Sequence, residues 1–245
     1  MSKNTAFGLS DRLQAIYNMI PEGGVLCDVG TDHGFLPISL CLDGRIEGAL
    51  AMDLREGPLS RAREHVAQYH LEDRIETRLS DGLKEVKVGE CDRVSISGMG
   101  GRTMQDILKM RMDVAKSVDY LLLQPQSEIP EFRNFLYEEG FEILKEDCIF
   151  EDGKFYFLIL ACPSEKAPSD SKYKTIDSLE SYFGPDLLAT KNPVLKEFII
   201  KEIKVTEYVL SNLSKAADTE KNRESKEKQK QYLEILEAAR GVLDI

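Results

Sequence analysis

Short runs of β-favouring residues alternate with helix-like stretches over the first half of the chain, and this alternation restricts the fold more than any other feature. The runs fall at residues 25–28, 49–53, 75–79, 93–96 and 120–124. Most are followed by a turn and then by helical sequence, which predicts a parallel sheet covered on both faces. A helix is expected before the first run. Ser10 caps it, Leu13, Ile16, Tyr17 and Ile20 share one face, and Pro21-Glu-Gly-Gly ends it. A further helix is expected at about 130–139, stopped by Gly140.

The pattern then changes. Residues 141–149 and 155–161 read as two strands joined through Asp152-Gly153, a hairpin turn signal. A doubly wound, Rossmann-like α/β sheet that is mostly parallel and finishes in an antiparallel hairpin is the layout of class I methyltransferases; dinucleotide-binding folds usually continue parallel. Residues 163–175, rich in Pro, Ser and Lys, read as a linker. Beyond it Leu195, Ile199, Ile203, Leu210 and Leu213 fall near one helical face, as do Tyr232, Ile235, Leu236, Ala239, Val242 and Leu243. These faces predict an antiparallel, coiled-coil-like helical hairpin with the polar residues 218–230 at its exposed tip. Two domains are expected, residues 1–165 and 166–245.

Charge narrows the choice of partner. The 245 residues carry 32 Lys and Arg against 43 Asp and Glu, a net charge of −11, which by itself disfavours a polyanion. From Lys166 onward basic and acidic residues balance at 14 each, so the whole excess lies on the first domain. A nucleic acid would have to use local basic patches. The five cysteines, Cys27, Cys41, Cys91, Cys148 and Cys162, are scattered without a C-x-x-C pair and read as buried, reduced thiols. No zinc-type spacing occurs, and no metal is expected. No apolar run approaches a membrane span, and the start has no apolar core before Arg12, so a cytoplasmic protein without a membrane partner is expected. Nothing calls for more than a monomer.

The richest segment for chemistry is Asp28-Val-Gly-Thr-Asp-His-Gly34, at the carboxyl end of the first strand, where open α/β sheets place their ligands. A nicotinamide fingerprint would need glycine where Asp32 stands. A carboxylate there repels a pyrophosphate but suits a cationic ligand, such as the sulfonium or the α-amino group of S-adenosylmethionine. Asp53 ends the second run, where a carboxylate accepts both hydroxyls of a ribose, and Asp81, in Ser80-Asp-Gly82, follows the third, where it accepts from an adenine amino group. Ser97-Gly-Met-Gly-Gly101 follows the fourth run and makes a loop with little side-chain bulk, open to a flat ring. Gln124 and Gln126 at the end of the fifth run carry amides that can read a base or fix a loop, and loop fixing is the expectation.

Taken together, Leu9-Ser-Asp-Arg-Leu13, Asp28 to Pro37, Glu56-Gly-Pro58, Ser80-Asp-Gly-Leu83, Ser97 to Gly101, Leu123-Gln-Pro125, Glu151-Asp-Gly-Lys154, Phe183-Gly-Pro185 and Ala216-Ala-Asp-Thr-Glu220 resemble the TrmK family of bacterial tRNA (adenine(22)-N(1))-methyltransferases over essentially the whole chain. The resemblance implies a class I domain that uses S-adenosylmethionine, and a helical C-terminal domain that helps to hold tRNA. Phe35, where a tyrosine is common in the family, rules out a hydroxyl there.

The resemblance and the chemistry meet on Asp32 as the catalytic residue. Adenine N1 needs no deprotonation, but its methylation creates a cationic base, which a nearby carboxylate stabilises. Expected cofactor contacts are Asp28, Gly30, Thr31, His33, Gly34, Asp53, Asp81, Gly82, Ser97 and Gly98. Expected substrate contacts are Met99, Gly100, Gly101, Arg102, Lys109, Arg111 and Lys154. The alternative is a small-molecule methyltransferase whose C-terminal helices form a lid.

Overall fold

The computed structural model describes residues 8–167, 178–215, 217 and 219–245. It divides into two compact units, Met1–Thr175 and Ile176–Ile245. In the first, α1 (Asp11–Met19) leads into the alternation β1 (Val25–Val29), α2 (Phe35–Leu42), β2 (Gly48–Asp53), α3 (Glu56–Gln68), β3 (Ile75–Leu79) and β4 (Arg93–Met99). It continues through α4 (Gly101–Met110), α5 (Met112–Ser117), β5 (Tyr120–Pro125), α6 (Ile129–Glu138), β6 (Phe141–Glu151) and β7 (Lys154–Pro163). The strands form one sheet in the order β3-β2-β1-β4-β5-β7-β6. The first five are parallel, and β7 runs antiparallel to both β5 and β6.

Strand alternation gives the sheet two cores, as a sheet covered on both faces requires. On one face Cys27 and Val29 of β1 and Val94 and Ile96 of β4 pack with Met104 and Leu108 of α4 and Phe132 of α6. On the other, Leu26 and Leu122 pack with Ile16 and Ile20 from the first helical segment and with Ile38 and Leu40 of α2. Ser10 caps α1 as its position predicts, its Oγ accepting from the Leu13 amide at 3.3 Å. All five cysteines are buried as free thiols, and burial pushes Cys148 up to about 12 and Cys162 up to about 11. Arg133 of α6 and Glu146 of β6 form a fully buried ion pair at 2.8 Å.

At the amino edge of the sheet, arginines saturate the backbone. Arg74 donates to the carbonyls of Glu47, Cys41 and Ile46 at 3.0, 2.8 and 2.6 Å. Arg45 donates to those of Tyr17 and Ile20 at 2.6 and 2.7 Å, and Arg93 to that of Glu22 at 2.7 Å.

The second unit holds α7 (Ser178–Phe183), α8 (Pro185–Ala189) and two long helices, α9 (Pro193–Lys215) and α10 (Glu220–Leu243), which pack on each other. Leu195, Ile199 and Ile203 of α9 and Leu236, Ala239 and Leu243 of α10 are buried. Leu210 and Leu213 are only half-buried and Val242 is exposed, so the packed stripe is narrower than its sequence period suggests. The polar stretch expected as a tip lies mostly inside α10, which starts at Glu220 with Thr219 as its cap. Residues 168–175 of the expected linker, and Ala216 and Asp218 of the motif at 216–220, lie outside the described residues. Among the described residues no helix is long and apolar enough to cross a membrane.

Candidate active site

The strand order aligns the carboxyl ends of β3, β2, β1 and β4, so Asp81, Asp53, Asp28 and Ser97 follow one another along that edge. At a strand spacing of about 4.8 Å the row spans about 14 Å. Two hollows open along it. One, of about 570 Å³, lies outside β3 between Leu54, Ser80, Asp81 and Lys84. The other, of about 210 Å³, is smaller but holds the chemistry: Asp28, Gly30, Asp32, His33, Ser97 and Gly98 line it.

The loop after β1 owes its shape to positive φ. Gly30 (φ +75°) and Gly34 (φ +74°) take left-handed conformations, and so does Asp32 (φ +53°), a residue that tolerates them better than most. The amides of Gly30 and Thr31 both donate to the Met52 carbonyl at 2.8 Å, pinning the loop to β2, and the Gly34 amide donates to the Thr31 carbonyl at 2.9 Å. The result lifts the Asp32 side chain into the open, 68% exposed, while Asp28 stays buried at the base.

Burial raises Asp28 to about 6 against the pull of Thr31 and Ser95. Those two hydroxyls are buried beside it without reaching full hydrogen-bond geometry. A carboxylate so placed is under-compensated, and an incoming ammonium would satisfy it. Asp32 has a nearer neighbour: its Oδ1 lies 3.7 Å from His33 Nε2. The His33 ring stacks on Phe35 at 5.2 Å, Phe35 on His65 at 5.1 Å, and His65 Nδ1 pairs with the His33 carbonyl at 2.8 Å. This aromatic stack makes the wall beside Asp32 stiff.

At the neighbouring strand end Asp53 is buried and its Oδ1 accepts from the Arg55 amide at 2.8 Å. Ser80 holds the β3 turn by donating to the Gly82 carbonyl at 2.8 Å, which leaves the Asp81 side chain exposed. The glycine loop after β4 is strapped to the end of β5. Gly98 N donates to Gln124 Oε1 at 3.1 Å, Gln126 N to the Met99 carbonyl at 2.9 Å, and Gly101 N to the Ser127 carbonyl at 3.0 Å. Gln124 thus fixes a loop, as expected. A side chain at Gly101 would lie 2.5 Å from the Ser127 oxygen, so that glycine serves close packing of the α4 start.

Asp28, Gly30, Thr31, Asp32, His33, Ser97 and Gly98 gather around one hollow. Gly34 closes the same loop, Met99 points its methyl at Gly30, and Asp53, Asp81 and Gly82 continue the row. Arg102 opens α4, exposed, beside the glycine loop, and Lys154 stands exposed at the β6–β7 turn. Lys109 and Arg111 are at the other end of α4, about 12 Å along its axis from the glycine loop. There Lys109 sits 5.0 Å over the Phe135 ring, and Arg111 is spent on the Lys84 and Val86 carbonyls and on Asp113. Arg12 and Phe35 also line the hollow. Sequence reasoning assigned neither to it, although Arg12 belongs to the Leu9-Ser-Asp-Arg-Leu13 motif and Phe35 to the Asp28–Pro37 segment that carry the family resemblance.

Comparison with known proteins gives a consistent picture. A family model described as a methyltransferase domain matches residues 9–159. The tRNA (adenine(22)-N(1))-methyltransferase of Bacillus subtilis is 35% identical over 96% of this chain and 97% of its own length. The crystal structure of the B. subtilis m1A22 tRNA methyltransferase TrmK superposes with a TM-score of 0.83 at 33% identity, covering 94% of this chain and 98% of that one. M. capricolum TrmK in complex with S-adenosylhomocysteine superposes with a TM-score of 0.82 at 25% identity, covering 96% and 99%. The likeness spans both units, and the chain belongs to the TrmK family.

Proposed function

We propose that this protein transfers the methyl group of S-adenosylmethionine to N1 of adenine 22 in tRNA. The observation that carries the reading is the row of carboxylates and glycine turns along one sheet edge, in a chain similar over its whole length to enzymes of that activity. The row matches an adenosyl-amino acid in chemistry and in length. Asp81 faces an adenine amino group, Asp53 accepts from ribose hydroxyls, and Asp28, with Gly30, Thr31 and Ser97, surrounds an amino-acid head group. His33, Gly34, Gly82 and Gly98 shape the walls between them.

Bound S-adenosylmethionine supplies an electrophilic methyl group on a sulfonium. The protein's part is position and charge. Asp32 stands at the rim, where a base enters, and its carboxylate offsets the positive charge that grows on the adenine ring as N1 gains a methyl group. Water weakens that effect while Asp32 is exposed, and the effect grows once the base covers the carboxylate. The glycine loop leaves room for the flat ring at Gly98, with Met99 beside it, whereas Gly101 is taken up by packing against Ser127. Arg102 and Lys154 flank the opening and suit phosphates of the tRNA. The adenine must leave its stack to reach Asp32, so extrusion of the base belongs to the mechanism.

The test is methyl transfer from labelled S-adenosylmethionine to unmodified tRNA transcripts, with and without adenine at position 22, followed by nucleoside analysis. N1-methyladenosine is expected only when that adenine is present. Cofactor binding with no label in any tRNA would overturn the reading in favour of a small acceptor.

A further inference from the structure

The end of β5 and the loop that follows it carry two glutamines, which the fold uses differently. Gln124 is fully buried with both ends of its carboxamide engaged. Its Oε1 accepts from the Gly98 amide at 3.1 Å, and its Nε2 donates to the Pro125 carbonyl at 3.3 Å. Gln126 is held by its backbone, whose amide donates to the Met99 carbonyl at 2.9 Å. The next residue is pinned as well, the Ser127 carbonyl accepting from the Gly101 amide at 3.0 Å. The Gln126 side chain is exposed, and among the described residues its carboxamide makes no hydrogen bond. It lies close to the site all the same, with Nε2 3.8 Å from the point where a Cβ on Gly98 would stand. Gly98 in turn lines the hollow that Asp32 rims. A donor and an acceptor on a fixed root, beside the loop that admits a flat ring, are arranged to read that ring.

The reaction restricts which edge of the ring can be read. N1 must stay open to the methyl group, so a contact that identifies adenine has to fall on N6 and N7. There adenine offers one donor and one acceptor side by side. A glutamine carboxamide offers the complement: Oε1 accepts from N6 while Nε2 donates to N7. Guanine presents two acceptors at the same places, O6 and N7, and leaves Oε1 facing an oxygen. The Asp32 carboxylate only accepts, so it cannot meet N7. We infer that Gln126 reads the N6 and N7 edge of the target adenine, and so sets which base the enzyme accepts. The inference rests on the tRNA substrate named in the proposed function.

The contact strengthens as the reaction proceeds. The methyl carbon leaves the sulfonium, whose bonding electron pair stays on sulfur, and bonds to the N1 lone pair. No proton moves in this step. Positive charge spreads over N1, C6 and N6, so the N6–H group becomes a better donor to Oε1. Loss of the carboxamide should therefore lower kcat as well as raise KM.

The test pairs one atom of the base with one side chain. Two tRNAs, identical but for adenosine or 7-deazaadenosine at position 22, are assayed with the wild-type protein, Gln126→Leu and Gln126→Glu. The analogue keeps N1 and N6 and loses only the N7 acceptor. The wild-type protein should show a kcat/KM about 10-fold lower on the analogue. Gln126→Leu should be slower on ordinary tRNA by at least that factor, and equally slow on both. Gln126→Glu keeps the acceptor for N6 and loses the donor to N7, so it too should not distinguish the two tRNAs. Affinity for S-adenosylhomocysteine should be the same in all three proteins. A wild-type protein that ignores the analogue overturns the inference. So does a Gln126→Leu variant that still loses the full factor on it, which places the N7 contact elsewhere, or one that binds S-adenosylhomocysteine more weakly, which marks a structural role. In each of these cases the wild-type protein still methylates ordinary tRNA and the proposed function stands. No methylation of that tRNA would overturn both.

Discussion

The two edges of the parallel sheet use charge in opposite ways. At the amino edge Arg45, Arg74 and Arg93 donate to main-chain carbonyls, Arg74 to three of them, closing the loops that feed β1, β2 and β3. At the carboxyl edge Asp28 and Asp32 stand at the base and rim of the glycine-shaped loop after β1, and Asp53 ends β2, with far fewer partners. The contrast teaches where the molecule keeps its stability and where it gives it up. A saturated backbone acceptor stabilises the fold at every moment, whereas an under-satisfied carboxylate costs stability until a ligand meets it.

The comparison is most exposed to failure at Asp32. Asp32→Asn keeps the left-handed backbone and removes only the charge. It should lower kcat on tRNA by about 100- to 1,000-fold with an unchanged melting temperature. A rate near that of the wild type would remove the carboxylate from the chemistry.

At the opposite edge Arg74→Ala strips three carbonyls of one charged donor. It should cost about 2–4 kcal/mol in denaturant titrations, with cofactor affinity in the remaining folded protein unaltered. A loss below about 0.5 kcal/mol would mean that water replaces the arginine, as at an ordinary surface site, and would erase the distinction.

Asp28 sharpens the picture because it belongs to the core and to the site. Its carboxyl is raised to about 6 in the fold from an ordinary value of 3.8, so the folded protein holds the extra proton between those values. The stability it contributes is present below about pH 4 and is lost as pH rises through about 6. Asp28→Asn should remove that slope and make the ligand-free protein more stable at pH 7, by ~3 kcal/mol at most. The same change should weaken S-adenosylhomocysteine binding. A variant less stable than the wild type at pH 7 would show that the aspartate is well compensated after all.

The smallest effect is expected at Asp53. Asp53→Ala should weaken cofactor binding about 10-fold in calorimetry, the worth of one charged hydrogen-bonding partner. Undiminished affinity would take the ribose role from it.

Much of this arrangement is legible in the sequence because it depends on local rules. Alternating strand and helix signals, the Asp152-Gly153 turn and the Ser10 cap each act within a few residues, and each appears where its chemistry puts it. Asp28, Asp53 and Asp81 are legible for a related reason, since a residue at a strand end needs only the sheet order to find its neighbours. Long-range placement is not local. Arg12 meets Gln124 and Glu151 across more than a hundred residues, and no helical period announces that meeting. Lys109 and Arg111 show the converse, for closeness in sequence to the glycine loop says nothing of the length of helix between. Val242 fits the apolar stripe of its helix on paper, but its neighbour Leu243 takes the buried position and leaves it 45% exposed.

The burial of all five cysteines has a practical consequence. With every native thiol shut inside the fold, and Cys148 pushed up to about 12, the wild-type protein should react slowly with maleimides. A single cysteine introduced on the outer side of α10, for instance Lys228→Cys, would then take up a fluorophore alone. The protein is thus ready for site-specific labelling without first removing a residue from its core, and a dye on the long helix would test whether tRNA reaches that unit.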